Sequence, residues 1–374
     1  MRLQSIRIRN FKAIVDSKTV RLGALTAFIG QNGSGKSSLI EALETYQTIV
    51  AYGLDVAMQP WMGIEHARHK TLEAKEHAGE EVNPIVFEVA IGDSPRKVSR
   101  FLLEVNNDPA ANRMFISKEY IDHLDGTFTD RDSSSTAQFY GLDRSLLSAP
   151  LSVFQREAEQ VMEWQFLTLQ PERMGHPVSQ QRTGGSVCLA KDGSNITDFL
   201  RDICKQDVAA FNGIVEAMTY VLPYARDLLL SVTSELEHKV CLQLPEADFK
   251  VPGWMLSTGT LRMLALLALL RHPNPPPLIV VEEIENGLDP RCIHLIVEEI
   301  RNAVLSGVTQ VIVTTHSPYL LDLLTLEHLV LVERDDKGEP LFFRPADNDN
   351  LQRLASDFAP GKLYTMGNLA RGKS

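Results

Sequence analysis

Gly30-Gln31-Asn32-Gly33-Ser34-Gly35-Lys36-Ser37 is the stretch on which the reading of this chain turns. It satisfies G-x-x-x-x-G-K-[ST] in full. The apolar run Leu25-Thr26-Ala27-Phe28-Ile29 precedes it, and residues 38–48 follow with Leu39, Ile40, Leu43 and Tyr46 on one helical side. Strand, glycine turn and helix form the context that a phosphate-binding loop requires. Glycines let the backbone turn until successive N–H groups point inward at phosphate oxygens, and the following helix presents its positive end. Lys36 adds a mobile cation for the β- and γ-phosphates, and Ser37 offers a hydroxyl to Mg²⁺. Gly30, Asn32, Gly33, Ser34, Gly35, Lys36, Ser37 and Ser38 are the expected nucleotide-holding residues.

Outward from the loop, Leu3, Ile6 and Ile8 alternate with arginines, and Val20-Arg21-Leu22 continues the strand-like pattern. An α/β rhythm returns near the end of the chain. It comprises an apolar helix over residues 260–270, a buried strand 278–281, a helix 291–305 and a strand 311–314. A short helix at 320–324 and a strand at 329–333 close it. Between these parts the signals are mixed. Residues 85–91 and 101–105 read as strands, 130–138 as a polar surface loop, and 151–167 and 196–220 as helices.

Leu278-Ile279-Val280-Val281-Glu282-Glu283 places two carboxylates at the C-terminal edge of a parallel strand, where α/β ligand sites form. Glu282 is expected to reach Mg²⁺, and Glu283 to accept a proton from the water that attacks a γ-phosphate. Two further stretches are weak alone and informative in this order. Leu256-Ser257-Thr258-Gly259-Thr260 stands directly before a helix and offers Ser257 and the Gly259 N–H to an anion, although alone it reads as a helix cap. In Val311-Ile312-Val313-Thr314-Thr315-His316-Ser317-Pro318, His316 follows a buried strand, where its imidazole can donate to a phosphate or orient a water.

The 374 residues exceed what one hydrophobic core usually fills, which favours a large domain with a substantial insertion. With 44% hydrophobic and 23% charged residues the composition is globular. A formal net charge of -11 gives no bulk footprint for nucleic acid or an anionic membrane. The apolar run at 263–270 is too short to span a bilayer, and the first residues lack the apolar core of a signal peptide, so a cytoplasmic location is expected. Cys188, Cys204, Cys241 and Cys292 lack paired spacing and are read as free thiols.

Taken in order, the glycine loop, residues 256–260, Glu282-Glu283, Asn286-Gly287-Leu288-Asp289-Pro290 and Thr315-His316-Ser317 resemble the ATP-binding-cassette (ABC) type of head of SMC and RecF-like proteins. The likeness is closer to the soluble bacterial AAA-family, OLD-like ATPases of the kind found in anti-phage defence. Ile6-Arg7-Ile8-Arg9-Asn10-Phe11-Lys12 looks like that group's first strand, and Gly193-Ser194-Asn195 like a turn of its insertion. The resemblance implies an α/β fold, an ABC-type P-loop NTPase head whose mixed sheet is flanked by helices. A large α+β insertion would separate the Walker A loop from the signature motif. Residues 1–55 would form the N-terminal lobe, 56–250 the insertion completing the head, and 251–374 the C-terminal lobe.

The resemblance further implies an ATPase using ATP and Mg²⁺, with Glu283 and His316 catalytic and with Ser37 and Glu282 at the metal. Ser257 and Gly259 would be the signature motif acting on a nucleotide held by a second subunit, and Leu288-Asp289 the D-loop. A homodimer with composite ATP sites follows, open to higher assembly. Glu282 stands where many such heads carry Asp, and the signature reads Ser-Thr-Gly-Thr in place of Ser-Gly-Gly-Gln. For the Q-loop glutamine, Gln155, Gln165 and Gln170 all remain candidates. The group's members imply a separately encoded effector, a nuclease or toxin, since the stretch after His316 reads as too short for a second enzyme domain. The alternative is a DNA-repair head that clamps DNA, which the net charge does not indicate.

Overall fold

The computed structural model describes residues 1–70, 83–94, 96–108, 110–122, 128–131, 141–148, 154–179, 187–233, 239–246 and 249–369. They divide into two compact units. One contains Met1–Trp164, Leu326–Phe358 and Met366–Ser374, and the other Gln165–Thr325 and Ala359–Thr365.

In the first unit Arg2–Phe11 pairs antiparallel with Ile85–Ser94, which pairs with Lys97–Asp108, and that strand with Arg113–Asp122. Leu3, Ile6, Ile8 and Phe11 are the buried side chains of the first strand, so strict alternation breaks twice. A register shift between Leu3 and Ser5 accounts for the first break, and Asn10, in the left-handed region at φ 58°, for the second. The all-buried strand Leu25–Ile29 lies parallel to Leu329–Arg334, which turns back into the antiparallel strand Pro340–Phe343. Helix Lys36–Tyr52 follows the glycine loop. Its Tyr46 is 1% exposed and packs against Phe87 and Trp164, with ring centroids 6.0 and 6.3 Å away. Gln47 of the same helix donates to the carbonyls of Met162 and Trp164 at 3.0 and 2.6 Å.

In the second unit three parallel strands stand side by side, with Leu278–Val281 between Gln165–Leu167 and Gln310–Thr315. All four side chains of the middle strand are buried, as a parallel strand covered on both faces requires. Helix Thr258–Leu270 is buried along most of its length, and its last turn is tied to helix Pro290–Leu305. There Arg271 forks onto Glu299 through Nε and Nη2, both at 2.7 Å, and donates Nη1 to the Gly213 carbonyl of helix Val208–Val221 at 2.6 Å. A small antiparallel sheet of Val178–Ser179, Lys239–Glu246, Leu229–Val232 and Phe249–Pro252 completes the unit.

Three expected elements differ. Residues 151–167 are not one helix. Helix Gln155–Met162 ends before Gln165–Leu167, which is a strand because its backbone pairs with Ile279–Val281, while 151–153 lie outside the described residues. The helix expected over 196–220 is two helices, Ile196–Gln206 and Val208–Val221. Asp207 sits between them in extended conformation and accepts from the N–H groups of Ala209 and Ala210 at 2.8 and 3.1 Å. The short helix expected at 320–324 runs Pro318–Asp322, started earlier by the Ser317 cap and by proline at its first position, and two further short helices, Asp349–Asp357 and Pro360–Thr365, follow it. Most of the polar stretch 130–138 lies outside the described residues. All four cysteines are free thiols, and no described helix is long and apolar enough to cross a membrane.

The Arg271 fork generates a test. Glu299 is 8% exposed, so Arg271→Leu strands a buried carboxylate and is expected to destabilise the chain by about 3 kcal/mol in denaturant unfolding. A double variant Arg271→Leu, Glu299→Leu should recover most of that loss.

Candidate functional site

Within the first unit the glycine loop takes the shape its composition predicts. Gly33 and Gly35 hold φ values of 74° and 112°, and the Ser34 N–H closes a turn onto the Gln31 carbonyl at 3.2 Å. Helix Lys36–Tyr52 starts directly after Gly35 without a side-chain cap. The helices behind Asp207, Ser257, Asp289, Ser317 and Asn348 are each capped by those side chains. An uncapped helix start behind a glycine turn suits an anion, and here the sequence supplies no side chain of its own. Lys36 is buried, and its ammonium donates to the carbonyls of Gly30 and Gln31 at 2.7 and 2.9 Å. Ser34 Oγ is buried with no hydrogen-bond partner among the described residues, whereas Asn32 and Ser37 are exposed and Ser38 is buried. This donor set fits a polyphosphate.

Sequence reasoning missed the support beneath the loop. Arg334 donates Nε and Nη2 to the Gly33 carbonyl at 2.8 and 2.6 Å. No local pattern marks it.

Within the second unit the two carboxylates leave the middle strand in different ways. The Glu282 N–H still pairs with the Leu167 carbonyl at 3.1 Å, and its Oε1 accepts from the Thr168 hydroxyl at 3.2 Å. Glu283 then enters the left-handed region at φ 47°, a conformation that costs a non-glycine residue about 1–2 kcal/mol. Two bonds to Thr314 hold it there. The Glu283 N–H donates to Thr314 Oγ1 at 2.8 Å, and the Ile284 N–H to the Thr314 carbonyl at 3.2 Å. The reversal buries Ile284 and leaves the Glu283 side chain half exposed. One Glu283 oxygen accepts from the Asn286 amide, and the other lies 4.0 Å from His316 Nε2. The histidine is tied from behind, because its N–H donates to Glu285 Oε1 at 2.5 Å. Glu285 Oε2 is buried without a hydrogen-bond partner among the described residues. Thr314 and Glu285 thus couple the two loops.

The residues read as signature and D-loop have complete local partners. Ser257 Oγ accepts from the Thr260 N–H at 3.1 Å and shares a hydrogen bond with the Thr260 hydroxyl at 2.7 Å. A Cβ on Gly259 would lie 2.4 Å from the Gly287 carbonyl, so glycine is what lets these two turns meet. Asp289 caps helix Pro290–Leu305 through the N–H groups of Arg291 and Cys292, at 2.8 and 3.1 Å. Desolvation opposes ionisation of Asp289, but those N–H groups and the Cys292 thiol outweigh it and hold the carboxyl below its ordinary range. Burial, with the Asp289 charge beside it, pushes the Cys292 thiol up to about 12.

The three candidate glutamines separate by position. Gln155 lies exposed on its helix bonded to Glu159, and Gln165 donates to the Leu189 carbonyl at 2.9 Å. Gln170 is exposed in the loop leaving strand Gln165–Leu167, two residues beyond the Thr168 that bonds Glu282.

The family model described as "AAA domain, putative AbiEii toxin, Type IV TA system" matches residues 25–322. An uncharacterized protein, MJECL44, of Methanocaldococcus jannaschii is 25% identical over 44% of this chain and 53% of its own length. The chain therefore spans about half of that relative. The OLD nuclease of Thermus scotoductus is 21% identical over 97% of this chain and 68% of its own. Among solved structures, an SMC head bound to the C-terminal winged-helix domain of ScpA superposes with a TM-score of 0.53. It is 13% identical, covering 92% of this chain and 97% of that one. The fold is accordingly that of an SMC-type ATPase head, a mixed α/β arrangement with sheets flanked by helices. With the family match running from the strand before the glycine loop to the helix after His316, this ABC-type, SMC-like head belongs to the AAA domain, putative AbiEii toxin, Type IV TA system family.

Proposed function

We propose that the chain hydrolyses ATP to ADP and phosphate with Glu283 as general base. The observation that carries this reading is the Glu283 carboxylate, held outward on a strained backbone, with Asn286 on one oxygen and His316 Nε2 4.0 Å from the other. Glu283 takes a proton from water as the water oxygen bonds to the γ-phosphorus, and the bond to the β,γ-bridging oxygen breaks. His316 donates to the γ-phosphate or orients that water. Gly30 to Ser38 hold the phosphates through backbone N–H groups, and Lys36 exchanges its carbonyl partners for the β- and γ-phosphates. Ser37 through its hydroxyl and Glu282 through its carboxylate would hold Mg²⁺, which when bound would neutralise charge on the phosphates. Gln170 is the Q-loop residue of this reading, supported by its exit from the strand beside Glu282.

Two copies share the work in this proposal. Ser257 and Gly259 act on the nucleotide held by the other copy, with Leu288 and Asp289 forming the D-loop, and support comes from the order of the motifs. The ATPase is further proposed to license a separate effector, a nuclease or toxin, in bacterial anti-phage defence. A family description that names a toxin and the likeness to an OLD nuclease support that assignment.

Lys36→Ala is expected to lose nucleotide binding. Glu283→Gln should keep ATP and lose turnover by roughly a hundredfold or more, measured by phosphate release alongside equilibrium binding. Ordinary steady-state turnover in Glu283→Gln would sink the mechanism. Thr314→Val leaves the Glu283 N–H unpaired and should cost about 1–3 kcal/mol in unfolding and most of the turnover. Thr314→Ser keeps the hydroxyl and should restore both. In mixed assemblies, one Ser257→Arg copy is expected to silence the phosphate loop of its partner. Silencing of its own loop alone would refute the shared site.

A further inference from the structure

The hairpin formed by Leu329–Arg334 and Pro340–Phe343 touches every glycine of the phosphate loop, and each contact requires glycine or uses its backbone. A Cβ on Gly30 would lie 2.1 Å from the Val332 carbonyl oxygen. One on Gly35 would lie 2.6 Å from Pro340 Cγ. At the crest the hairpin reaches Gly33 by its carbonyl, through the two nitrogens of Arg334 at 2.8 and 2.6 Å. Arg334 is itself braced, since its third nitrogen donates to the Gly338 carbonyl at 2.6 Å. The turn carrying Gly338 is stiffened by Asp335, whose carboxylate accepts from the N–H groups of Lys337 and Glu339 at 2.9 and 2.8 Å.

From this geometry we infer that Arg334 is a positioning residue for nucleotide binding, acting through the Gly33 carbonyl. The inference rests on the reading of Gly30 to Ser37 as the phosphate loop. A peptide unit points its C=O and the following N–H in opposite directions. Fastening the Gly33 carbonyl outward therefore keeps the Ser34 N–H on the inner side of the turn, where it closes onto Gln31. Glycine at position 33 has no side chain to hold the crest, and an arginine fork supplies that restraint from a distant part of the chain. A loop ordered before the phosphates arrive spends less of their binding energy on ordering. Arg334 lies beyond the residues 25–322 covered by the family match, and no motif of this sequence marks it.

The test uses the full chain and compares Arg334→Met with Arg334→Lys, measuring equilibrium affinity for ATP and ADP, the thermal midpoint, and KM against kcat. The fork is lost in both variants, while the charge survives in Arg334→Lys. The expected result is a loss of roughly tenfold in affinity for ATP and ADP alike in both variants. KM should rise by the same factor, with kcat and the thermal midpoint unchanged, as the loss of uniform binding requires. Unchanged affinity in Arg334→Met overturns the inference. Recovery in Arg334→Lys, with ATP affected more than ADP, also overturns it, because the arginine then acts as a charge on the terminal phosphate. A wild-type chain that binds neither nucleotide overturns the phosphate-loop reading itself.

Discussion

A hydrogen bond of 2.8 Å from the Glu283 N–H to the Thr314 hydroxyl governs the ends of the parallel strands in the second unit. Without an acceptor at that point, the turn that follows Glu282 would carry both a strained φ and an unpaired, part-buried donor. With it, the chain reverses at Glu283, Ile284 drops into the core, and the Glu283 carboxylate is left outside. Thr314 is the penultimate residue of the neighbouring strand, so the same bond sets where that strand releases His316. Glu285 fastens the histidine from the other side. Backbone N–H groups bonded to the Thr314 and Glu285 side chains join the two loops, and the distance between imidazole and carboxylate follows from those bonds rather than from any hydrogen bond between the two side chains.

The first unit solves a related problem by a different route. A glycine-rich turn is cheap to bend and costly to keep in one shape, since each glycine surrenders the largest backbone entropy on ordering. Here the turn is hemmed in by neighbouring backbone and by a proline ring, contacts that only glycines permit. Freedom to adopt unusual φ values and confinement to one set of them come from the same residue type.

Much of this was legible because its signals are local. The loop motif between a strand and a helix fixes its own context. Leu278 to Val281 reads as a covered parallel strand since nothing polar interrupts it before Glu282. Asp207 was legible in principle, as an acidic residue ahead of a helical run is an ordinary cap, but the apolar spacing across it reads as one continuous helix. Gln165 to Leu167 could not be read as a strand from within. Trp164, Phe166 and Leu167 prolong the apolar pattern of the helix before them, and only pairing with Ile279 to Val281 decides their conformation. The partners of the site residues were invisible for the same reason. Thr314 and Glu285 gain meaning from atoms on a neighbouring turn, and Arg334 from a carbonyl 301 positions earlier in the chain.

The cap at Asp289 has a practical consequence for chemistry done on the whole molecule. Burial, with the Asp289 carboxylate beside the sulfur, favours the thiol form of Cys292, so electrophiles that need a thiolate react slowly there. Cys188 is exposed, and its neighbour Leu189 accepts from Gln165 on the strand beside Glu282. A maleimide dye added to the native chain will therefore favour Cys188 over Cys292, placing a reporter next to the strand that leads to Gln170 and leaving the turn at Asp289 untouched.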